Sequence, residues 1–195
     1  RPQLEDLSRR TSPAPAAHAP DEPISVDSII GELNKRLDER SLVICDIGDA
    51  LFAALELRMP RRSSFFANAY YASMGHAVPA AVGVHFALPD TRKIVLCGDG
   101  GFQMTFQELS TAIAREIPLI VIVLDNNGFE TERRLFPGAW HFNDIPSWDY
   151  KHLTAVFKGG RSWAVKSVAE CRAALDAAWD YQGVSLIHAQ LPPGD

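Results

Sequence analysis

The chain has 195 residues, 47% of them hydrophobic, and a formal net charge of −5. That size and composition allow one buried α/β core, while the acidic balance, broken only by basic pairs such as Arg61-Arg62 and Arg133-Arg134, argues against a nucleic-acid partner. No apolar run approaches a membrane span and the N-terminus lacks a signal peptide's apolar core; three scattered cysteines, Cys45, Cys97 and Cys171, fit no CxxC or disulfide pattern, so reduced thiols in a cytoplasmic setting are expected.

Residues 1–23 hold Pro2, Pro13, Pro15, Pro20 and Pro23 among Ala, Ser and charges. They read as a linker that cannot bury enough apolar surface to order itself. From Ser25-Val26-Asp27 a helix begins, with Ile29, Ile30, Leu33 and Leu37 at helical spacing. A strand over 42–45 runs into Asp46-Ile47-Gly48-Asp49. A helix over 75–88 carries Ala77, Ala80, Ala81 and Gly83, small residues that predict close packing on a sheet. A strand over 93–97, a helix near 106–115 and a strand over 119–124 follow. Short helices over 130–135 and 151–156, a strand at 163–165, an Ala-rich helix over 168–179 and a strand over 184–188 complete the pattern. The alternation predicts an α/β fold: a doubly wound, mostly parallel sheet with helices on both faces. The expected plan is a tether over 1–23, one domain over 24–191 and a tail over 192–195.

Two clusters stand out, Gly98-Asp99-Gly100-Gly101 and Asp125-Asn126-Asn127-Gly128, each at the end of a β-branched apolar run. In parallel sheets ligands sit outside the carboxyl ends of the strands, where both clusters fall. Glycines let backbone N–H groups close on phosphate oxygens, and Asp99 and Asn126 offer the hard oxygens Mg²⁺ takes when it bridges phosphates. Together they point to a metal-bound diphosphate.

With its spacing, this pair of clusters is similar to the thiamine diphosphate motif of 2-keto acid decarboxylases, acetolactate synthases and their relatives. Gly101-Phe102-Gln103-Met104-Thr105-Phe106-Gln107-Glu108-Leu109-Ser110-Thr111 and Phe142-Asn143-Asp144-Ile145-Pro146-Ser147-Trp148-Asp149-Tyr150 look most like the pyruvate and indolepyruvate decarboxylase branch. The likeness extends from about Ile24 to Leu191. It implies the thiamine diphosphate-binding fold, with thiamine diphosphate and Mg²⁺ as cofactors. It implies Asp99, Asn126 and the Gly128 carbonyl as metal ligands, with Gly98, Gly100, Gly101 and Gly128 beside the diphosphate. Met74 falls at the apolar wedge under the bent cofactor, although a Met there also fits plain core filling. The Ala72 carbonyl would accept from the pyrimidine amine. Asp49 matches a cofactor-contacting position, and an N-cap for the next helix explains it equally well. Glu132 matches the decarboxylases' active-site Glu. At Glu130 the yeast-type members carry a hydroxyl residue, so Glu130 is expected to face solvent or a basic partner.

The resemblance implies decarboxylation of a 2-keto acid to an aldehyde, with pyruvate, phenylpyruvate, indolepyruvate and branched acids all open. It also implies an N-terminal pyrimidine-binding domain, of the same or a partner subunit, and a homodimer or homotetramer. The chain then reads as the C-terminal domain or fragment of a longer enzyme, or as a separate subunit. Carboligation of the acetolactate synthase type and a non-catalytic assembly subunit are the alternatives. His76, His85, His141, His152 and His188 show no metal-ligand spacing and read as packing or surface residues. No GxGxxG follows the first strand, against a nicotinamide-binding domain.

Overall fold

A computed structural model of the chain describes residues 18–192. The β-branched runs become strands β1 (Ser41–Cys45), β2 (Phe65–Ala67), β3 (Arg92–Gly98), β4 (Leu119–Asp125), β5 (Arg161–Val165) and β6 (Val184–Gln190). They form one sheet in the order β2-β1-β3-β4-β6-β5, every neighbouring pair parallel. The helices are α1 (Val26–Asn34), α2 (Asp49–Ala54), α3 (Ala77–Ala87), α4 (Asp99–Thr105), α5 (Glu108–Ala114), α6 (Glu130–Leu135), α7 (Leu153–Val156) and α8 (Val168–Asp180).

Both sheet faces are covered, which is why the central strands are apolar throughout rather than alternating. Val43, Ile94, Leu96, Ile122 and Ile187 meet α1, α2 and α8 through Ile29, Leu33, Ala54 and Leu175. Ile44, Val95, Val121, Val123 and Leu186 meet α3, α4 and α5 through Val78, Ala81, Phe102 and Leu109. Each such buried aliphatic side chain contributes roughly 1.5–3 kcal/mol relative to exposure, so the sheet is a firm base for what stands on its edge. All three cysteines are free and buried, as expected of core thiols.

Ser25 and Ser167 start α1 and α8 as capping boxes, with Ser28 and Glu170 reaching back. The helix expected near 106–115 is α5, and a separate helix, α4, precedes it. α4 starts at the strand tip, and Leu109 N–H and Ser110 N–H bond to the Phe106 and Gln107 carbonyls three residues back, tightening the chain before α5. α2 and the edge strand β2 are additions, too short for periodicity to reveal. Close packing by small residues comes from Ala77 and Ala81, which are buried, while Gly83 faces open space. Of the expected tether, residues 1–17 lie outside the described residues. Residues 18–23 lie along the start of α8, where Val168 N–H donates to the Glu22 carbonyl and Pro23 bridges to Ser167. No helix among the described residues is long and apolar enough to cross a membrane.

α1 and α8 are joined by charge as well as by packing. The buried Glu32 accepts from Lys35 Nζ at 2.6 Å, Arg36 Nη1 at 2.9 Å and Arg172 Nη2 at 3.0 Å. Burial alone would push its carboxyl up, but the three cations outweigh burial and hold it down at about 2, from 4.5. A depressed folded value stabilises above the unfolded one and is lost as pH falls through the folded one. Glu32→Gln is therefore expected to lower the melting temperature at pH 7, with the gap to the parent closing between about pH 4.5 and pH 2. A gap independent of pH in thermal unfolding scans contradicts this.

Candidate functional site

The carboxyl ends of β1, β3 and β4 open onto one cavity of about 520 Å³, a volume within the usual range for small-molecule sites. It lies where the strand order reverses, between β1 and β3, the crevice that open parallel sheets use for ligands. Its wall includes every residue the sequence singles out: Asp49, Ala72, Met74, Gly98, Asp99, Gly100, Gly101, Asn126, Gly128 and Glu132.

Three carboxylates occupy adjacent strand tips. Asp46 follows β1, Asp99 follows β3 and Asp125 ends β4, and each is only 2% exposed. Asp46 accepts from Ile47 N–H at 3.0 Å and Gly75 N–H at 2.8 Å. Burial raises its pKa, opposed by these amides. Asp125 Oδ2 accepts from His188 Nε2 at 2.6 Å and Ser147 Oγ at 2.8 Å. Burial works against its ionisation, yet His188 and Ser147 outweigh it and lower its pKa.

Asp99 has two backbone amides and no cation. Its Oδ1 accepts from Gly100 N–H at 2.7 Å and its Oδ2 from Gly128 N–H at 3.1 Å. No ion pair reaches it among the described residues, and its pKa is raised by burial and then by the adjacent Asp125 carboxylate. A buried acid in that position holds a proton or recruits a cation. The donor set suits a hard divalent ion, with the half-buried Asn126 amide in the same wall. No three His, Cys, Asp or Glu residues among the described ones could hold an ion by themselves. An ion here would have to draw on the amide, a backbone carbonyl and oxygens of the ligand itself.

The glycines keep this corner tight. A Cβ on Gly100 would lie 2.4 Å from Phe129 Cε1, and one on Gly101 would lie 2.7 Å from Asp46 Oδ2. The Gly100 N–H, expected to face phosphate, is engaged by Asp99 itself. Gly98, by contrast, has open space at its Cβ position.

Around the rim the expected residues take varied settings. Asp49 is the first residue of α2 rather than its cap, a place taken by Gly48, and it accepts from Thr131 Oγ1 at 3.1 Å. Met74 is half-buried and Ala72 exposed. Glu132 is exposed, on a helix with no buried residue. Glu130 faces basic partners, Arg133 at 3.5 Å and Arg134 at 3.3 Å. Left-handed non-glycine backbone occurs here too: Ala72 (φ +55°) lines the cavity and Asn127 (φ +60°) adjoins Asn126. Left-handed non-glycine residues cost roughly 1–2 kcal/mol and cluster at functional sites.

His188, expected as a packing or surface residue, is buried, while Asp46, Asp125 and Ser147 carry no site role in the sequence. A usable signal was present, since each acid follows an unbroken apolar strand. The partners Ser147 and His188 come from distant segments and left no local mark.

Comparison with known proteins places the chain in a family. Residues 46–189 match the family model described as thiamine pyrophosphate enzyme, C-terminal TPP binding domain. An indole-3-pyruvate decarboxylase of Azospirillum brasilense is 36% identical over 177 residues, 89% of this chain and 32% of that protein. A pyruvate decarboxylase of Neurospora crassa is 31% identical over 137 residues, 70% of this chain and 24% of the relative. The chain thus spans about a quarter to a third of the length of these relatives. In fold it resembles the solved structure of a Rhodococcus jostii RHA1 thiamine diphosphate-dependent 4-hydroxybenzoylformate decarboxylase, with a TM-score of 0.80 at 22% identity over 91% of this chain and 34% of that one.

The Gly101 contact is testable by size alone. Gly101→Ala forces a methyl against the buried Asp46 carboxylate and is expected to destabilise by about 1–3 kcal/mol. Gly98→Ala, with free space, should stay within about 0.5 kcal/mol of the parent. Urea unfolding midpoints that rank the two in the opposite order contradict the packing described.

Proposed function

This chain belongs to the thiamine pyrophosphate enzymes, whose C-terminal cofactor-binding domain it carries, and from that premise we propose that it forms the diphosphate- and Mg²⁺-binding part of an enzyme that decarboxylates 2-keto acids to aldehydes. The observation that carries the metal site is the buried Asp99, lacking a cation and sharing a cavity with Asn126. The reaction class follows the relatives, named for pyruvate and indole-3-pyruvate; the acid itself is left open between them.

In this reading Asp99, Asn126 and the Gly128 carbonyl hold Mg²⁺, and Gly98, Gly100 and Gly101 let the diphosphate approach the backbone. Met74 supports the cofactor from below, the Ala72 carbonyl accepts from its pyrimidine amine, and Asp49 borders it. When bound, thiamine diphosphate supplies an electron sink for the loss of CO₂. The Glu132 carboxylate, when ionised, disfavours a neighbouring substrate carboxylate by like-charge repulsion; when protonated, its carboxyl oxygen can deliver a proton once CO₂ has left.

Glu132 is exposed in this chain, and a second surface would have to cover it to close a site around a substrate. Phe52 in the wall, and Tyr70 and Tyr71 between the lining residues Ala69 and Ala72, are exposed at the same place. An apolar rim of this kind marks a contact surface. It fits a pyrimidine-binding domain of the same or a partner subunit, in a cytoplasmic homodimer or homotetramer. Residues 24–191 are then the binding domain, 1–23 the tether and 192–195 a tail.

Three outcomes follow. The chain by itself is expected to bind thiamine diphosphate weakly and to turn over no 2-keto acid, and measurable aldehyde production contradicts that. In the complete enzyme, Asp99→Asn should weaken Mg²⁺-dependent cofactor binding about 100-fold or more, a loss of ~2.7 kcal/mol or more; calorimetric binding equal to the parent's overturns the metal site. Glu132→Gln should lower kcat by about 10²–10⁴ while leaving cofactor affinity near the parent's; unchanged turnover removes Glu132 from the chemistry.

A further inference from the structure

The Mg²⁺ reading leaves a second buried acid unused. Asp125 sits one residue before Asn126 and ends the strand beside the one that Asp99 follows. Both of its carboxylate oxygens accept from protein groups. Oδ2 takes His188 Nε2 and Ser147 Oγ, Oδ1 takes the Asn127 N–H at 3.3 Å, and its backbone carbonyl takes the Leu191 N–H at 2.9 Å. His188 is itself buried and braced, with the Tyr150 ring edge-on at 4.8 Å between centroids. The Tyr150 hydroxyl accepts from Gln103 Nε2 at 2.8 Å, and Gln103 stands on α4, the helix that Asp99 begins.

The turn that follows is the part that matters. By capturing the Asn127 N–H, Asp125 folds residues 125–128 back on themselves with Asn127 left-handed. The same turn leaves Asn126 in the cavity wall and brings the Gly128 N–H onto Asp99. Resting on the metal-site reading above, we infer that Asp125, held by His188 and Ser147, is a positioning residue that presents Asn126 and Gly128 to the ion. Asp125 does not touch the ion; it acts through its neighbours. Outer partners of this type set ligand orientation and local field, and their loss weakens metal affinity by about 10–100-fold.

The test uses Mn²⁺ as the probe on the complete protein with thiamine diphosphate saturating, free Mn²⁺ being counted from its paramagnetic resonance signal. The titration yields a dissociation constant and a number of sites. Asp125→Asn removes the charge and at least one acceptor and is expected to raise the dissociation constant about tenfold or more, with the number of sites unchanged. Variants that merely fold poorly lose sites instead and keep the affinity of the folded fraction. Ser147→Ala and His188→Gln, which leave Asp125 in place but free it, should shift the constant in the same direction by less. If Asp125→Asn does not fold, these two decide, and constants equal to the parent's in both overturn the inference. Asp125→Asn folded with the parent's constant also overturns it, leaving the metal site intact. A parent that binds Mn²⁺ no more tightly than Asp99→Asn overturns the metal site itself and this inference with it.

Discussion

The organising constraint is the burial of Asp46, Asp99 and Asp125 at the tips of three adjacent parallel strands. Neighbouring strands lie about 4.8 Å apart, and two like charges near 5 Å repel by roughly 3 kcal/mol at an effective dielectric of 20. A domain of this size cannot leave three such charges to one another. The fold answers each locally. Asp46 is satisfied by the N–H groups of Ile47 and Gly75, and Asp125 by His188 and Ser147. Asp99 lines the cavity with two amides and, among the described residues, no positive group, and that setting is what supports reading the cavity as a cation site.

The sheet makes the arrangement possible. Parallel pairing sends every carboxyl end to the same edge, and the apolar layers on both faces keep that edge from shifting. Tight glycine contacts and left-handed residues then shape the edge into a wall. α6 is the exception. It buries no residue and is tied down through Arg133, which bonds the Asn127 carbonyl and Asp144 at 2.9 Å each. The element that carries Glu132 is thus held by exposed polar contacts, the kind that yield first in local opening.

Much of this was legible in the sequence, for physical reasons. Long β-branched runs such as Leu119–Asp125 leave one structural option in a chain this short, and α6 was bounded correctly because its charges and flanking aromatics mark both ends. The paired clusters around Asp99 and Asn126 were recognisable because glycines and hard-oxygen donors recur at strand ends. What escaped was whatever depends on contacts between distant segments. Nothing near Leu186–Ile187–His188 says that the imidazole will meet Asp125, and β2 is too short to have a period. α4 escaped because its first turn is the glycine cluster Asp99-Gly100-Gly101, which carries no helical periodicity.

Anomalous X-ray scattering from Mn²⁺ reads directly where an ion sits in this cavity. Crystals of the complete protein grown with thiamine diphosphate and Mn²⁺ are expected to show one strong anomalous peak within coordination distance of the Asp99 carboxylate and the Asn126 amide oxygen. A well-ordered cofactor with no peak there, or with its peak beside other side chains, contradicts the assignment.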